Sequence, residues 1–230
     1  PQHGTVELLS AESGLVRYTP DNNLNGADTF SFRTNDGVSD STPASVSITV
    51  KPINDVPVAN GQEVSTGEDT NVIITLSGSD EDQGDTLTFW VVSAPTNGTL
   101  SNINQDLREV VYTPALNWNG VDRFTFNVTD TTGASSSASV VISVSSVNDA
   151  PTTDSASISL SEDTPVTLTL PAGDVDSSTL TYNIISQPQA GTLSNINTAT
   201  GQVTYTPALN STTADSFTFN VNDGTSTSTT

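Results

Sequence analysis

Apolar residues alternate with Ser and Thr along most of this chain, as in Val46-Ser47-Ile48-Thr49-Val50 and Val166-Thr167-Leu168-Thr169-Leu170. A period of two marks strands with one face buried and the other wet, and β-branched residues suit that pleated surface. No segment keeps a helical period for more than a turn. The pattern predicts an all-β protein. Within residues 60–153 it predicts seven strands, near 62–66, 71–76, 86–93, 97–103, 109–113, 123–129 and 137–145, separated by turn residues.

The alternation is itself repeated, with a period of about 94 residues. Asn54-Asp55 and Pro57 recur as Asn148-Asp149 and Pro151, Glu68-Asp69-Thr70 as Glu162-Asp163-Thr164, and Asp80 and Asp82 as Asp174 and Asp176. Tyr18-Thr19-Pro20 returns at Tyr112 and Tyr205, and Gly4, Gly98 and Gly191 match. The pairs Phe30/Phe32, Phe124/Phe126 and Phe217/Phe219 are each followed at constant distance by Asp36, Asp130 and Asp223. The expected division is 1–59, the later part of a first repeat, 60–153, a complete second, and 154–230, a third lacking its last strand. On this reading the chain is a piece of a longer array. Seven strands per 94 residues predict tandem two-sheet sandwiches of immunoglobulin-like size, strung end to end.

Charge changes the picture next. There are 26 acidic against 5 basic side chains, a net charge of -21, one His and no Cys. Like-charge repulsion argues against nucleic acid and anionic membranes, and no apolar run is long enough to insert in a bilayer. Thiol nucleophiles, thiolate metal sites and His-based triads are excluded by composition. Counting strand directions places the acids at the two poles of each sandwich. At the second linker Glu68, Asp69 and Asp122 should meet Asn148 and Asp149, with Asp174, Asp176 and Asp223 approaching from the next repeat. At the first linker the matching residues are Asp28, Asn54, Asp55, Asp80, Asp82 and Asp130. Asp and Asn also form ordinary turns. Their recurrence in register, with oxygen as the only ligand atom, favours a hard cation, and Ca2+ suits such flexible sites better than Mg2+.

The run FTFNVTDTTGASSSASVVISVSSVNDAP, 124–151, resembles the end of a cadherin repeat. The Glu-Asp-Thr turn, the D-x-D loop and the Tyr-Thr-Pro signature are most similar to bacterial cadherin-like tandem repeats of large secreted RTX-type surface adhesins. That resemblance implies Greek-key sandwiches, linker Ca2+ that stiffens the array, and an extracellular, secreted or cell-surface, bacterial, non-enzymatic role as an adhesin stalk or cell-adhesion module. It carries Glu68 and Glu162, the D-x-D pairs, and Asp36, Asp130 and Asp223 into the ligand set. Asp28, Asp122 and Asp215 lie where cadherins hold a further acid. Pro52 and Ser146 stand where cadherin linkers have another Asp, which implies one or two ions per junction rather than three. Thr212 and Thr213 replace the Asn-Gly of 25–26 and 119–120, so the lower loop of repeat three should differ.

Other features carry less. Asp80 to Asp85 opens like an EF-hand loop, but position twelve is Val91 instead of Glu. D-x-D and paired carboxylates without an enclosing fold do not make an enzyme. Trp90 should face outward beside inward Phe89, which keeps open a carbohydrate-binding module, and Trp118 should cap a core. A passive spacer beside an enzyme domain is the other alternative. The partners left open are a cell-surface glycan, a protein, or a homophilic contact.

Overall fold

A computed structural model describes residues 1–82 and 84–229. It is all-β, with no helix among the described residues. Repeat one contributes β1 (Gly4–Ser10), β2 (Leu15–Pro20), β3 (Gly26–Phe32) and β4 (Ala44–Val50). Repeat two holds β5 (Val58–Asn60), β6 (Gln62–Gly67), β7 (Val72–Thr75), β8 (Ser77–Ser79), β9 (Thr88–Ser93), β10 (Gly98–Leu100), β11 (Glu109–Pro114), β12 (Gly120–Thr129) and β13 (Ser135–Ser145). Repeat three holds β14 (Thr152–Thr153), β15 (Val166–Thr169), β16 (Ala172–Gly173), β17 (Thr181–Ser186), β18 (Gly191–Asn197), β19 (Gln202–Pro207) and β20 (Thr218–Asn222).

In repeat two the sheets run β6-β13-β12-β9 and β10-β11-β7. The first long strand lies beside the last, as in a Greek key. Alternate side chains meet between the sheets: Ile74, Phe89, Val110, Tyr112, Phe124, Phe126, Val140 and Ile142 are all buried. Burying each such apolar side chain contributes about 1.5–3 kcal/mol. The predicted strand 71–76 is interrupted at Leu76, and β8 then pairs with β5. Neither short strand carries an alternating pattern long enough to be seen in the sequence.

The free side of β9 is closed by a side chain. The Gln105 amide donates to the Phe89 carbonyl at 2.6 Å and accepts from the Phe89 N–H at 3.0 Å, in the manner of a neighbouring strand. Capping an edge in this way removes a template for pairing with other chains. The Arg108 guanidinium lies over the Phe89 ring, 5.7 Å from its centroid.

Repeat three has the sheets β15-β19-β18 and β17-β20 around Leu170, Tyr182, Val203 and Val221. Residues 155–161, the counterpart of 61–67, join no ladder. Repeat one shows two ribbons, β1-β2 and β3-β4. The chain separates into two compact units. The first comprises Pro1–Thr66, Thr70–Ala115 and Val121–Val144; the second comprises Gly67–Asp69, Leu116–Gly120 and Ser145–Thr230.

Candidate metal centre

The second unit gathers the acids around the linker. Glu68 follows β6 and is 2% exposed. Its Oε1 accepts the Val147 N–H at 2.7 Å, while its own N–H donates to the Ser145 carbonyl. Asn148 donates through Nδ2 to the Asp149 carbonyl and to Asp223 Oδ2, which leaves its Oδ1 as an acceptor. The Asp149 N–H donates to Asp176 Oδ2 at 2.7 Å, and the Asp176 N–H to Asp174 Oδ1 at 2.8 Å. Asp69 and Asn117 both adopt left-handed backbone, at φ +58° and +53°, and the Asn117 N–H donates to Asp69 Oδ1. Asp and Asn tolerate that region better than other side chains.

Three carboxylate oxygens of this unit are buried with no hydrogen-bond partner: Glu68 Oε2, Asp149 Oδ2 and Asp174 Oδ2. Burial pushes the Asp149 carboxyl above its usual range, and the negative charges of Asp176, Asp69, Glu68 and Asp174 push the same way. Asp223 is held below its usual range by N–H donors from Ser226 and Thr225 and by the Asn148 amide. Among the described residues the ion pairs are Arg17–Glu7 and Arg33–Asp40, both exposed and elsewhere. Unpartnered anionic oxygens are costly to bury, and a hard divalent cation is the group that this donor set fits.

The first linker repeats the geometry within the first unit. Asn54 Nδ2 donates to the Asp55 carbonyl and to Asp130 Oδ2, the Asp55 N–H to Asp82 Oδ2, and the Asp82 N–H to Asp80 Oδ1. Asp80 Oδ2 is buried without a partner, like its counterpart Asp174. Asp130 is held low by Asn54 first, then by Thr132 and Ala134 donors. Carboxylate oxygens of Asp80, Asp82 and Asp85 all lie within 4.8 Å of one another. Asp85 was missed as a candidate because the loop Asp174–Thr179 of repeat three has no counterpart to it. The EF-hand likeness of this loop includes Gln83, which lies outside the described residues. Glu81 reaches Asn23 of repeat one with its side chain.

Asp28 and Asp122, and with them Asp215, are held by donors of the protein itself. Asp122 is 4% exposed and accepts from the N–H groups of Thr96, Asn97 and Arg123 and from the Tyr112 hydroxyl at 3.0 Å. Asp28 takes the same bonds from Gln2, His3, Thr29 and Tyr18, and Asp215 from Gln189, Ala190, Ser216 and Tyr205. Four donors occupy the acceptor sites of each of these carboxylates within the protein. Burial raises the Asp122 carboxyl, but the four donors outweigh it and hold the group below its usual range. The Tyr112 hydroxyl is pushed up by burial and by Asp122. The signal was present in the sequence: in every repeat the Tyr of Tyr-Thr-Pro precedes this Asp by ten residues. Asp36 accepts from its own turn, at Val38 and Ser39, and Glu162 is exposed. Trp90 is 45% exposed as expected, and Trp118 is half-buried beside Gly120.

The family model described as a bacterial Ig domain matches residues 1–49, 54–143 and 148–230. Among solved structures, mouse cadherin-23 EC22–24 is similar with a TM-score of 0.58 at 21% identity, over 99% of this chain and 80% of that one. The extracellular domain of protocadherin gamma-B4 gives 0.54 at 19%, over 98% of this chain, which spans 43% of that one. An endo-fucoidan hydrolase gives 0.35 at 23%, over 99% of this chain and 36% of its own, too low a score to bear on activity. Identities of this size speak to the fold alone. No curated protein matches the chain.

Proposed function

For a chain that belongs to the bacterial Ig domain family, we propose a non-catalytic, extracellular repeat array of an RTX-type surface adhesin whose linkers bind Ca2+. The observation that carries this reading is the set of three buried, unpartnered oxygens on Glu68, Asp149 and Asp174. Glu68, Asp69, Asn148, Asp149, Asp174, Asp176 and Asp223 would hold the ion at the second linker. Asn54, Asp55, Asp80, Asp82 and Asp130, with Asp85 added, would do so at the first. The ion supplies the positive partner that no ion pair among the described residues gives these acids.

What the residues themselves do is keep the oxygens in place. Asn148 fixes Asp223 and the linker carbonyl, Asp176 pins the Asp149 N–H, and Glu68 pins the Val147 N–H. The linker backbone is thus tied to the acids by bonds that need no metal. Neutralising the remaining charge removes the repulsion that opposes closure, so Ca2+ stiffens the array. Affinity should fall near the extracellular range of about 10⁻⁴–10⁻³ M.

Small-angle scattering in EGTA and in about 10 mM Ca2+, well above that range, tests the reading. A longer, stiffer particle in Ca2+ supports it, and superimposable profiles together with no calorimetric Ca2+ binding refute it. One observation favours a glycan-binding role besides: Trp90 is exposed on β9, opposite Asn127 in register. Loss of a glycan-array signal in Trp90→Ala would establish that second role.

A further inference from the structure

Repeat two carries an unusual surface on the outer face of its sheet β6-β13-β12-β9. Side chains alternate along a strand, and Phe89, Phe126 and Val128 are buried. Trp90 on β9 and Thr125 and Asn127 on β12 therefore point the other way. Trp90 stands opposite Asn127 in register, where repeat three pairs Asn183 with Asn220. The indole is 45% exposed beside small polar side chains. The strand that carries it is held in place. Phe89, its chain neighbour, has its N–H and carbonyl bonded by the Gln105 amide, while its ring meets Phe126 at 6.3 Å and the Arg108 guanidinium at 5.7 Å. A ring presented on a fixed strand gives up little freedom when it is covered.

The polar group beside the ring is also set. The Ser137 hydroxyl donates to Asn127 Oδ1 at 2.6 Å, which takes up the amide oxygen and leaves the amide N–H groups to donate outward. An exposed indole with one oriented donor beside it suits a sugar, whose C–H face stacks on the ring while a hydroxyl oxygen accepts the bond. Charge narrows the class. Arg108 is engaged over inward-facing Phe89, and Arg123 stands four residues from Asn127 along β12, roughly 13 Å away. A uronate or sulfate would therefore meet the field of a chain of net charge -21 with no cation beside it. Stereochemistry narrows it further, since an axial hydroxyl on the stacked face would hold a sugar off the indole. Resting on the glycan-binding reading of Trp90 given above, we propose that this face binds an uncharged glycan of the cellulose type, with all ring substituents equatorial. Trp90 stacks on a ring face and Asn127 Nδ2 donates to a hydroxyl oxygen of the same chain.

Native gel electrophoresis of the whole chain tests this, because a net charge of -21 carries the protein through the matrix. One gel holds hydroxyethyl cellulose, which is uncharged; a second holds carboxymethyl cellulose, the same backbone with anionic groups; a third holds no polymer. The expected result is retardation by hydroxyethyl cellulose alone, lost in Trp90→Ala and partly regained in Trp90→Phe. Asn127→Ala should raise Kd about two- to tenfold, as loss of one hydrogen bond requires. All three variants should keep the urea transition reported by Trp118, which separates binding from folding. Equal Trp90-dependent retardation by both polymers overturns the uncharged ligand and leaves the glycan reading standing. So does a Trp90-dependent glycan-array signal confined to sulfated or uronic sugars. Retardation that survives Trp90→Ala overturns the proposal, and an Asn127→Ala protein that binds as the parent does overturns the donor's part in it. No Trp90-dependent signal with any polymer or array glycan overturns the proposal and the glycan reading together.

Discussion

Replacing Tyr112 by Phe isolates the hydroxyl of a buried clasp. The ring is fully buried, so Phe fills the same space and creates no cavity of consequence. What is lost is the hydroxyl donor, 3.0 Å from Asp122 Oδ2 and 3.4 Å from the Asn97 carbonyl. Hydrogen bonds to a charged group contribute about 1.5–3 kcal/mol, and three backbone donors remain to Asp122, so the expected loss is about 2 kcal/mol. The protein supplies its own reporter, because both of its Trp residues, Trp90 and Trp118, lie in repeat two. The Trp-monitored urea midpoint should fall by about 1 M or more with an unchanged slope. Tyr205→Phe makes the equivalent change in repeat three and should leave the Trp-monitored transition where it was. A loss below about 0.5 kcal/mol in Tyr112→Phe, within the range of an ordinary surface substitution, would refute the idea that the clasp holds the sandwich together.

The same reporter checks several other expectations. Gly98→Ala would place a Cβ 2.5 Å from a Tyr112 ring carbon and 2.7 Å from the Thr113 carbonyl oxygen, so it should destabilise repeat two by about 1–3 kcal/mol in urea titration. Asp122 titrates lower in the folded than in the unfolded chain; its contribution is complete above the ordinary value of 3.8 and is lost as pH falls through the lower folded value. The urea midpoint should therefore drop between about pH 7 and about pH 3, and by less in Asp122→Asn. Gln105→Ala leaves the Phe89 N–H and carbonyl without their partner on an edge strand, and should cost about 1–2 kcal/mol by the same titration. Asp149→Ala should weaken Ca2+ binding in calorimetry while the Trp-monitored transition in EGTA does not fall.

The sequence made the sandwich legible because its signals are local and repeated. Phe124, Phe126 and Val128 alternate with Thr125 and Asn127 along β12, and Val46, Ile48 and Val50 with Ser47 and Thr49 along β4. The linker constellations were legible for a different reason: Asn54 and Asn148, Asp80 and Asp174, and Asp130 and Asp223 recur in register, and the structure gives each pair the same bonds. The short strands β5 and β8 were hidden, since three residues carry no period. The bonds of Asp28, Asp122 and Asp215 were not legible, because an acid in a polar loop looks the same in sequence whether it faces a cation or four N–H and O–H donors. Only the count of donors distinguishes the two cases.

That count explains how one repeat uses two kinds of acid. Asp122 is buried and saturated by donors, and it titrates low; Asp149 is half-buried with an oxygen left over, and it titrates high. Both are carboxylates in loops of the same fold, yet only the second has capacity for another positive partner. The Tyr–Asp clasps turn one acid per repeat into internal structure, held by the protein's own donors. The linker acids stay under-satisfied in both units, at Asp80 as at Asp174. The acid that clasps the sandwich and the acids left with an unpartnered oxygen are therefore different residues. The proposed Ca2+ site at Asn148-Asp149 shares no residue with the Tyr112 clasp or with the core around Phe124 and Phe126.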